Sequence, residues 1–337
     1  MTLALHESPR RTGTGLVIAV LAAASFGTSG AFIKPLLEAG WSPAAAVTLR
    51  ALVGGIVLAP FALVSLRGRW DSLWRARWRI LLMASIGVAG TQLVYFAAIQ
   101  RIPVSTAILI EYMAPLILVI FAWATTRRMP KLVVIIGSVV AMAGLFLVVS
   151  PGGGASPDAL GLVLAGLSAL GCAGYYLIAA RPSDGLPPVA FAAAGLVLGS
   201  GMLGLVGLTG ALPFSAPPVD VFFFGTLAPW WVTLLFVGVI STGFAYVASI
   251  TASEMLGSRL ASFAGLLEVV AAAIYAWILL GEALGIAQLI GGVLILAGIA
   301  FVRSEKTDAP LEVAATDPAP PDPLAADPAQ AVRAGRA

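Results

Sequence analysis

The chain has 337 residues, of which 60% are apolar and 10% are charged, and its formal net charge is +3. An ordinary soluble domain is about 45 to 50% apolar and about 25% charged, so this composition excludes a soluble globular protein. The small net charge does not indicate a nucleic-acid partner. The single cysteine, Cys172, excludes an intrachain disulfide and a cysteine metal cluster, and no cofactor or metal is predicted.

Ten apolar runs are long enough to cross a bilayer as helices. A helix that crosses roughly 30 Å of hydrocarbon needs about 20 apolar residues, whereas β-barrel strands would alternate in polarity. The sequence therefore predicts an all-α integral membrane protein with ten transmembrane helices. The predicted spans are 14–36, 43–66, 79–100, 103–125, 131–149, 159–180, 187–209, 230–252, 259–280 and 283–302.

Lysine and arginine are concentrated on one side of these spans. The positive-inside rule places that side in the cytoplasm, and an even number of spans then places both termini there. We predict a multi-pass protein of a bacterial plasma (inner) membrane. A cleavable signal peptide is the alternative for the first run, but its removal would break the charge pattern. The basic residues counted on the cytoplasmic side are Arg10, Arg11, Arg67, Arg69, Arg75, Arg77, Arg79, Arg127, Arg128, Lys131, Arg181, Arg259, Arg303 and Lys306.

Two kinds of polar segment lie outside the spans. Residues 1–13 form a cytoplasmic tail, and residues 304–337, rich in Ala, Pro and Asp, are predicted to be disordered. The loop after the second span has Trp70, Trp74 and Trp78 at a helical spacing among five arginines. This pattern predicts an interfacial helix that faces anionic lipid, with nucleic-acid binding as the weaker alternative.

The chain contains an internal repeat, because Ala107–Val148 realigns on Ala261–Val302 with a constant shift of 154 positions. Pairs that composition does not readily explain are Trp123/Trp277, Gly137/Gly291 and Gly144/Gly298. We therefore predict two five-helix repeats, 14–150 and 151–303. An odd number of spans per repeat inserts the second upside down, which is the inverted-repeat plan of many secondary transporters, with a site near the midplane.

Short motifs along the spans carry a family resemblance. They are Ala24–Gly30 with Lys34, Arg50, Glu111–Pro115, Glu268-Val269, Gly281-Glu282, and Gly291 to Gly298. With them, residues 14–303 resemble the EamA-type family of the drug/metabolite transporter (DMT) superfamily. The resemblance implies a ten-helix secondary transporter for amino acids, metabolites or toxic compounds, often exported, with a central cavity between the repeats. The sequence departs from the family and repeat patterns at Val269, where a proline is usual, and at Arg127-Arg128, opposite Gly281-Glu282.

Glu111 and Glu268 are the carboxylates deep within spans. A charge there costs on the order of 3 kcal/mol on insertion scales, so it is expected to face a cavity or a partner, a packed protonated glutamate being the alternative. Pro115 frees the carbonyl group of Glu111 and predicts a helix kink. Arg50 lies at the same depth as Glu111, so we expect the two to meet directly or through water or a substrate group.

Other polar side chains are placed around the cavity by the resemblance, although tyrosine is also common at membrane interfaces. The predicted binding set comprises Gln92, Tyr95, Tyr112, Tyr175 and Tyr246, and Tyr176 and Gln100 belong to the same group. Glu254 and Glu282 are interpreted as solvated or capping charges. The fifth and tenth spans, with paired glycines and few polar groups, are predicted to serve in peripheral packing or in a homodimer contact.

Competing functions fit less well. The glycine-rich stretch Gly199–Gly204 lies in an apolar helix with no preceding strand, which is typical of packing and not of dinucleotide binding. The chain has no Gly-Lys pair, which excludes a Walker A motif. His6, the only histidine, precedes the first span, so an intramembrane enzyme is not expected. A lipid or lipid-carrier flippase, or a non-transporting membrane scaffold, is the alternative to a transporter.

Overall fold

The computed structural model describes residues 9–149, 158–182, 185–223, 226–281 and 285–304. His6, Glu282 and the predicted tail from residue 305 onward lie outside the described residues. The α-helices of the described chain are α1 (Pro9–Glu38), α2 (Pro43–Ser65), α3 (Asp71–Arg75), α4 (Arg77–Leu82), α5 (Thr91–Ile99), α6 (Val104–Glu111), α7 (Ala114–Thr126), α8 (Leu132–Val149), α9 (Ala159–Ala179), α10 (Pro188–Leu208), α11 (Trp230–Gly238), α12 (Ala245–Gly265), α13 (Leu267–Leu280) and α14 (Ile286–Arg303).

One short β-hairpin departs from the predicted all-α architecture. Strand β1 (Val221–Phe223) pairs antiparallel with β2 (Thr226–Ala228), between α10 and α11. Pro43 and Pro188 begin α2 and α10 at positions 145 residues apart, whereas the later repeat elements are 154 apart. The longer connection that contains the hairpin therefore accounts for the change in shift between the two repeats.

Nine segments of the described chain are long and apolar enough to cross a membrane, and Leu267–Leu279 is a shorter apolar helix. The predicted boundary between the eighth and ninth spans, residues 253–258, contains Gly257, the one residue with non-helical angles (φ 76°, ψ 162°) in the stretch from Trp230 to Gly265, which is otherwise helical. This positive φ is accessible to glycine without the steric cost of a side chain, so the direction changes there without a loop.

Two spans contain a π-helical segment. Met83–Gly90 is π-helical between α4 and α5, and Val239–Phe244 is π-helical between α11 and α12. The 154-residue shift places the first segment at 237–244, where it overlaps the second. π-helical turns are rare and often lie at functional sites. The structural repeat therefore includes the third and eighth spans, beyond the part visible in the sequence.

The same shift relates helix ends in the second half of each repeat. Helix α8 maps onto α14 residue for residue. The residues that cap α7 and α13 at their C-termini, Arg127 and Gly281, are both left-handed, with φ 56° and 69°. Arg127 thus adopts the geometry of its glycine counterpart, at a steric cost of roughly 1–2 kcal/mol for a residue with a Cβ.

Helices α8 and α14 pack against each other through the glycines that the sequence paired. A Cβ placed on Gly144 would lie 2.5 Å from the carbonyl oxygen of Gly291, and one on Gly137 would lie 2.9 Å from that of Gly298. The two backbones approach this closely because these positions lack side chains. The predicted packing role is therefore fulfilled within the chain, and a homodimer stays a prediction.

The tryptophan-rich loop contains one short helix, α3, and ends at the start of α4, from which Ala76 separates it. Trp70, Trp74 and Trp78 are exposed, and the guanidinium group of Arg77 lies 4.7 Å from the ring centre of Trp74. Exposed aromatic rings beside cations are typical of a membrane interface. An interface with anionic lipid stays the prediction for this loop.

The core consists mainly of two clusters. One contains Phe191 and Ile250 and joins α2, α4, α9, α10 and α12. The other contains Leu145, Phe263 and Ile295 and joins α7, α8, α14 and the end of α12. Tyr175 of the first cluster and Val148 of the second both line one central cavity, so the two clusters border the candidate site.

Candidate functional site

A cavity of about 640 Å³ lies among helices of both repeats. Both deep carboxylates, Glu111 and Glu268, line it. Its polar lining consists of Ser29, Arg50, Thr91, Gln92, Ser105, Glu111, Tyr112, Cys172, Tyr175, Tyr176, Tyr246, Glu268 and Gln288.

Two residues of the predicted group do not line the cavity. Tyr95 packs beside Ala98 and Ile102, with its ring centre 5.9 Å from that of Phe96. Gln100 is exposed at the end of α5. Tyr95 follows the π-helical segment of its span, and the extra residue per turn changes the face that later side chains occupy.

The two carboxylates lie where spans are interrupted. Glu111 is the last residue of α6, and α7 resumes at Ala114 with Pro115 in its first turn. The predicted kink at Pro115 is thus present as a break at residues 112–113. Glu268 lies in the first turn of α13, directly after Leu266 separates it from α12. The 154-residue shift relates Tyr112 to Leu266, so the two interruptions are equivalent in the repeat.

Each carboxylate lies close to a polar side chain of the other half of the chain. Glu111 is near Ser168 of α9, whose hydroxyl donates to the carbonyl oxygen of Thr91 at 3.5 Å, and Glu268 is near Tyr112, the residue after α6. Ser168 is fully buried. Both carboxylates therefore lie where the two repeats meet, and both line the cavity.

Arg50 does not form the predicted direct pair with Glu111. Within the described residues, its Nη1 donates to the hydroxyl oxygen of Ser29 at 2.8 Å. Equal depth on two helices does not determine which neighbour each side chain faces, and Arg50 faces α1. A meeting of Arg50 and Glu111 through water or a substrate group stays a prediction.

Aromatic rings form one wall of the cavity. The ring centres of Phe26 and Tyr246 are 5.3 Å apart, those of Tyr246 and Tyr175 are 5.7 Å apart, and those of Tyr175 and Tyr176 are 5.1 Å apart, all edge-to-face. The Tyr175 hydroxyl lies 2.9 Å from that of Ser249. The arrangement offers an apolar contact surface beside charged groups, which suits solutes with both characters.

Several cavity residues were not predicted to bind. Gln288 lines the cavity from the first turn of α14, a span predicted to have few polar groups, and its Oε1 accepts from the backbone N–H of Gly285 at 2.9 Å. Ser29 was visible only as part of the first-span motif. Ser168, which lies near Glu111 but does not line the cavity, carried no sequence signal, because serine is common in packed membrane helices.

Glu254 forms an ion pair, whereas the sequence predicted a solvated or capping charge. Its Oε1 lies 3.1 Å from Nη2 of Arg79, and the two side chains are 20% and 9% exposed. The pair is distinct from the cavity lining. Arg79 was counted only as a cytoplasmic charge, and nothing in the sequence indicates that it turns inward.

Comparisons with known proteins bear on the function. The family model described as the EamA-like transporter family matches residues 13–150 and 159–304. The uncharacterized inner membrane transporter YicL of Salmonella typhimurium is 23% identical, over 86% of this chain and 95% of its own. An uncharacterized transporter of Archaeoglobus fulgidus is 26% identical, over 85% and 95%. A solved crystal structure, 20% identical, shares the fold with a TM-score of 0.71 over 86% of this chain and 97% of that chain.

Proposed function

The chain belongs to the EamA-like transporter family, and from this premise we propose that it is a secondary transporter that moves small organic solutes across the plasma membrane by alternating access. The observation that carries the proposal is the cavity of about 640 Å³ between the repeats, lined by charges of both signs. A scaffold would have no need of such a cavity. Discontinuous helices that bring polar groups to one cavity are typical of secondary transporters.

The proposed architecture is ten spans in two inverted repeats, 14–150 and 151–303, with both termini in the cytoplasm. The equivalent π-helical segments, interruptions and helix ends support a five-span unit present twice. Five spans per unit give the two units opposite orientations in the membrane.

Cysteine labelling tests this orientation. In a Cys172→Ser background, Met129→Cys is placed in a predicted cytoplasmic loop and Leu227→Cys in the hairpin, both at exposed positions. A membrane-impermeant maleimide added to intact cells is expected to label Leu227→Cys and to spare Met129→Cys until the membrane is permeabilised. The reverse pattern would overturn the topology.

The cavity is proposed to open to the extracytoplasmic side in this conformation. Its lining includes Ser105 in the first turn of α6, Val149 at the end of α8 and Gln288 in the first turn of α14. The proposed topology puts all three helix ends on the outside. For an exporter, this is the conformation from which a solute leaves.

The charges favour a solute that carries both an ammonium and a carboxylate group, such as an amino acid. Arg50 would bind the carboxylate in exchange for Ser29, and Glu111 or Glu268 would bind the ammonium group. Such a solute adds no net charge to the cavity, which limits the cost of burying it. Such a solute would also link Arg50 and Glu111, which do not contact each other directly.

A transport screen with purified protein in liposomes tests the proposed function. Amino acids and other small metabolites are supplied with and without a pH gradient, and uptake of at least one solute above that of protein-free liposomes is expected. Liposomes with equal amounts of the Glu111→Gln/Glu268→Gln protein serve as the matched control. Transfer of a fluorescent lipid between leaflets without uptake of any solute would favour the flippase alternative.

A further inference from the structure

Arg79 is the centre of a buried polar cluster outside the cavity. Its guanidinium group donates to the carbonyl oxygens of Ile178 and Ala179, each at 3.1 Å, and of Pro182 at 3.2 Å, and pairs with Glu254 at 3.1 Å. It also lies 4.2 Å from the ring centre of Phe191. The planar guanidinium fork suits several simultaneous bonds of this kind. One side chain of α4 thereby joins α9, α10 and α12.

The cluster lies beyond the end of the cavity that is opposite its proposed opening. Tyr175 and Tyr176 line the cavity, and Ile178 and Ala179 follow them at the end of the same helix, α9. On α12, Tyr246 lines the cavity and Glu254 lies eight residues further along, about 12 Å at the rise of an α-helix. In the proposed topology, this is the cytoplasmic side, opposite the opening.

Among the described residues, the repeat equivalents of Arg79 and Glu254 do not form such a buried ion pair. The 154-residue shift relates Arg79 to Thr233 and Glu254 to Gln100. Thr233 Oγ1 is buried and has no hydrogen-bond partner among the residues that the structure describes, and Gln100 is exposed. In inverted repeats, equivalent positions lie on opposite sides of the membrane. The cytoplasmic side therefore has a charged, bonded pair, whereas the equivalent outer residues that the structure describes are uncharged and form no ion pair.

We propose that Arg79 and Glu254 form the cytoplasmic gate of the transport pathway, and that their ion pair holds the protein in its outward-open conformation. This inference rests on the proposed transport function. Opening the gate exposes both charges to water, so the pair stabilises only the closed form. Neutralising one partner leaves the other buried without its counter-charge and favours opening.

The single native cysteine provides the test, because Cys172 lines the cavity. The rate at which a charged methanethiosulfonate reagent labels Cys172 is measured from each side, in right-side-out and inside-out membrane vesicles. Wild-type protein is expected to react mainly from the outside. In Glu254→Gln, the rate from the cytoplasmic side should rise at least about fivefold, the lower end of typical conformational couplings.

A second variant keeps the proposal testable if Glu254→Gln does not fold. Arg79→Lys keeps the charge, but an ammonium group does not match the fork that reaches three carbonyls and a carboxylate, so it is also expected to raise cytoplasmic labelling. Folding of each variant is checked by gel filtration and thermal melting. Unchanged cytoplasmic labelling in both folded variants would overturn the gate, and so would absence of labelling from either side in all the proteins.

The matched control is Asp158→Asn. Arg101 and Asp158 form an ion pair of the same length, 3.1 Å, but they are 46% and 40% exposed and lie at the opposite helix ends. The hydrogen bond from Arg101 holds the pKa of Asp158 below its usual value, so this pair is also charged at neutral pH. Asparagine preserves the cap of α9. Labelling of Cys172 should not change.

The labelling assay needs no solute, which separates the two proposals. If Glu254→Gln changes the side from which Cys172 reacts but the wild-type protein transports nothing in liposomes, the gate stands and the transport proposal fails. If the wild-type protein transports a solute and neither variant changes the labelling, the transport function stands and the gate fails.

Discussion

Glu111→Gln is expected to abolish transport while the protein still folds and inserts. Glutamine keeps the size of the side chain but removes the carboxylate that faces the cavity. Truncating one partner of a buried, hydrogen-bonded charge pair costs about 2 kcal/mol or more in binding, which corresponds to a loss of at least about 30-fold. Initial uptake rates in liposomes, at equal protein content, measure the effect.

Two controls separate charge from packing. Glu38→Gln makes the same substitution at an exposed position at the end of α1 and should transport normally. Ser168→Ala removes a buried hydroxyl group close to Glu111 but keeps the carboxylate, so it should reduce transport less than Glu111→Gln does. Wild-type transport by Glu111→Gln would show that this carboxylate is not part of the solute pathway.

Gly144→Leu is expected to have the largest effect on stability. A Cβ at this position meets the carbonyl oxygen of Gly291 at 2.5 Å and the amide nitrogen of Ile295 at 2.7 Å. These are backbone atoms, so relief requires α8 and α14 to separate. Overpacking of a tight core costs typically about 1–3 kcal/mol, and the rigid neighbours favour the upper end. A lower melting temperature in detergent and a lower yield of monodisperse protein are the measurements.

Gly201→Leu is the control for this effect. Gly201 lies within α10, is exposed, and an added Cβ meets nothing within 4 Å. Both substitutions replace a glycine within an apolar helix, so the difference between them isolates the helix contact. Equal melting temperatures for the two variants would contradict close packing of α8 on α14.

Much of the fold follows from the sequence because the bilayer limits the possibilities. An apolar run of about 20 residues has few alternatives to a spanning helix. Pro115 indicated the break beside Glu111, and the cost of an intramembrane charge indicated that Glu111 and Glu268 face a cavity. In each case a strong local free-energy term decides the outcome, and a single residue type reveals it.

Lateral neighbours could not be predicted in the same way. Depth along a span is readable from residue number, but the direction in which a side chain points depends on how helices pack and rotate. Arg50 therefore contacts Ser29 instead of Glu111, and Glu254 pairs with Arg79 from a distant part of the chain. Tyr95 lies beyond a π-helical segment that no hydropathy pattern reveals. These contacts are set by tertiary structure alone.

The paired π-helical segments change the direction of side chains at the same place in both repeats. A π-helical turn bonds i→i+5, one residue more than an α-helical turn, so the residues after it lie on a different face of the span. Met83–Gly90 and Val239–Phe244 overlap under the 154-residue shift. Each repeat therefore has the same wide turn at an equivalent depth, on the third and eighth spans, and the side chains that follow it are rotated in the same sense in both.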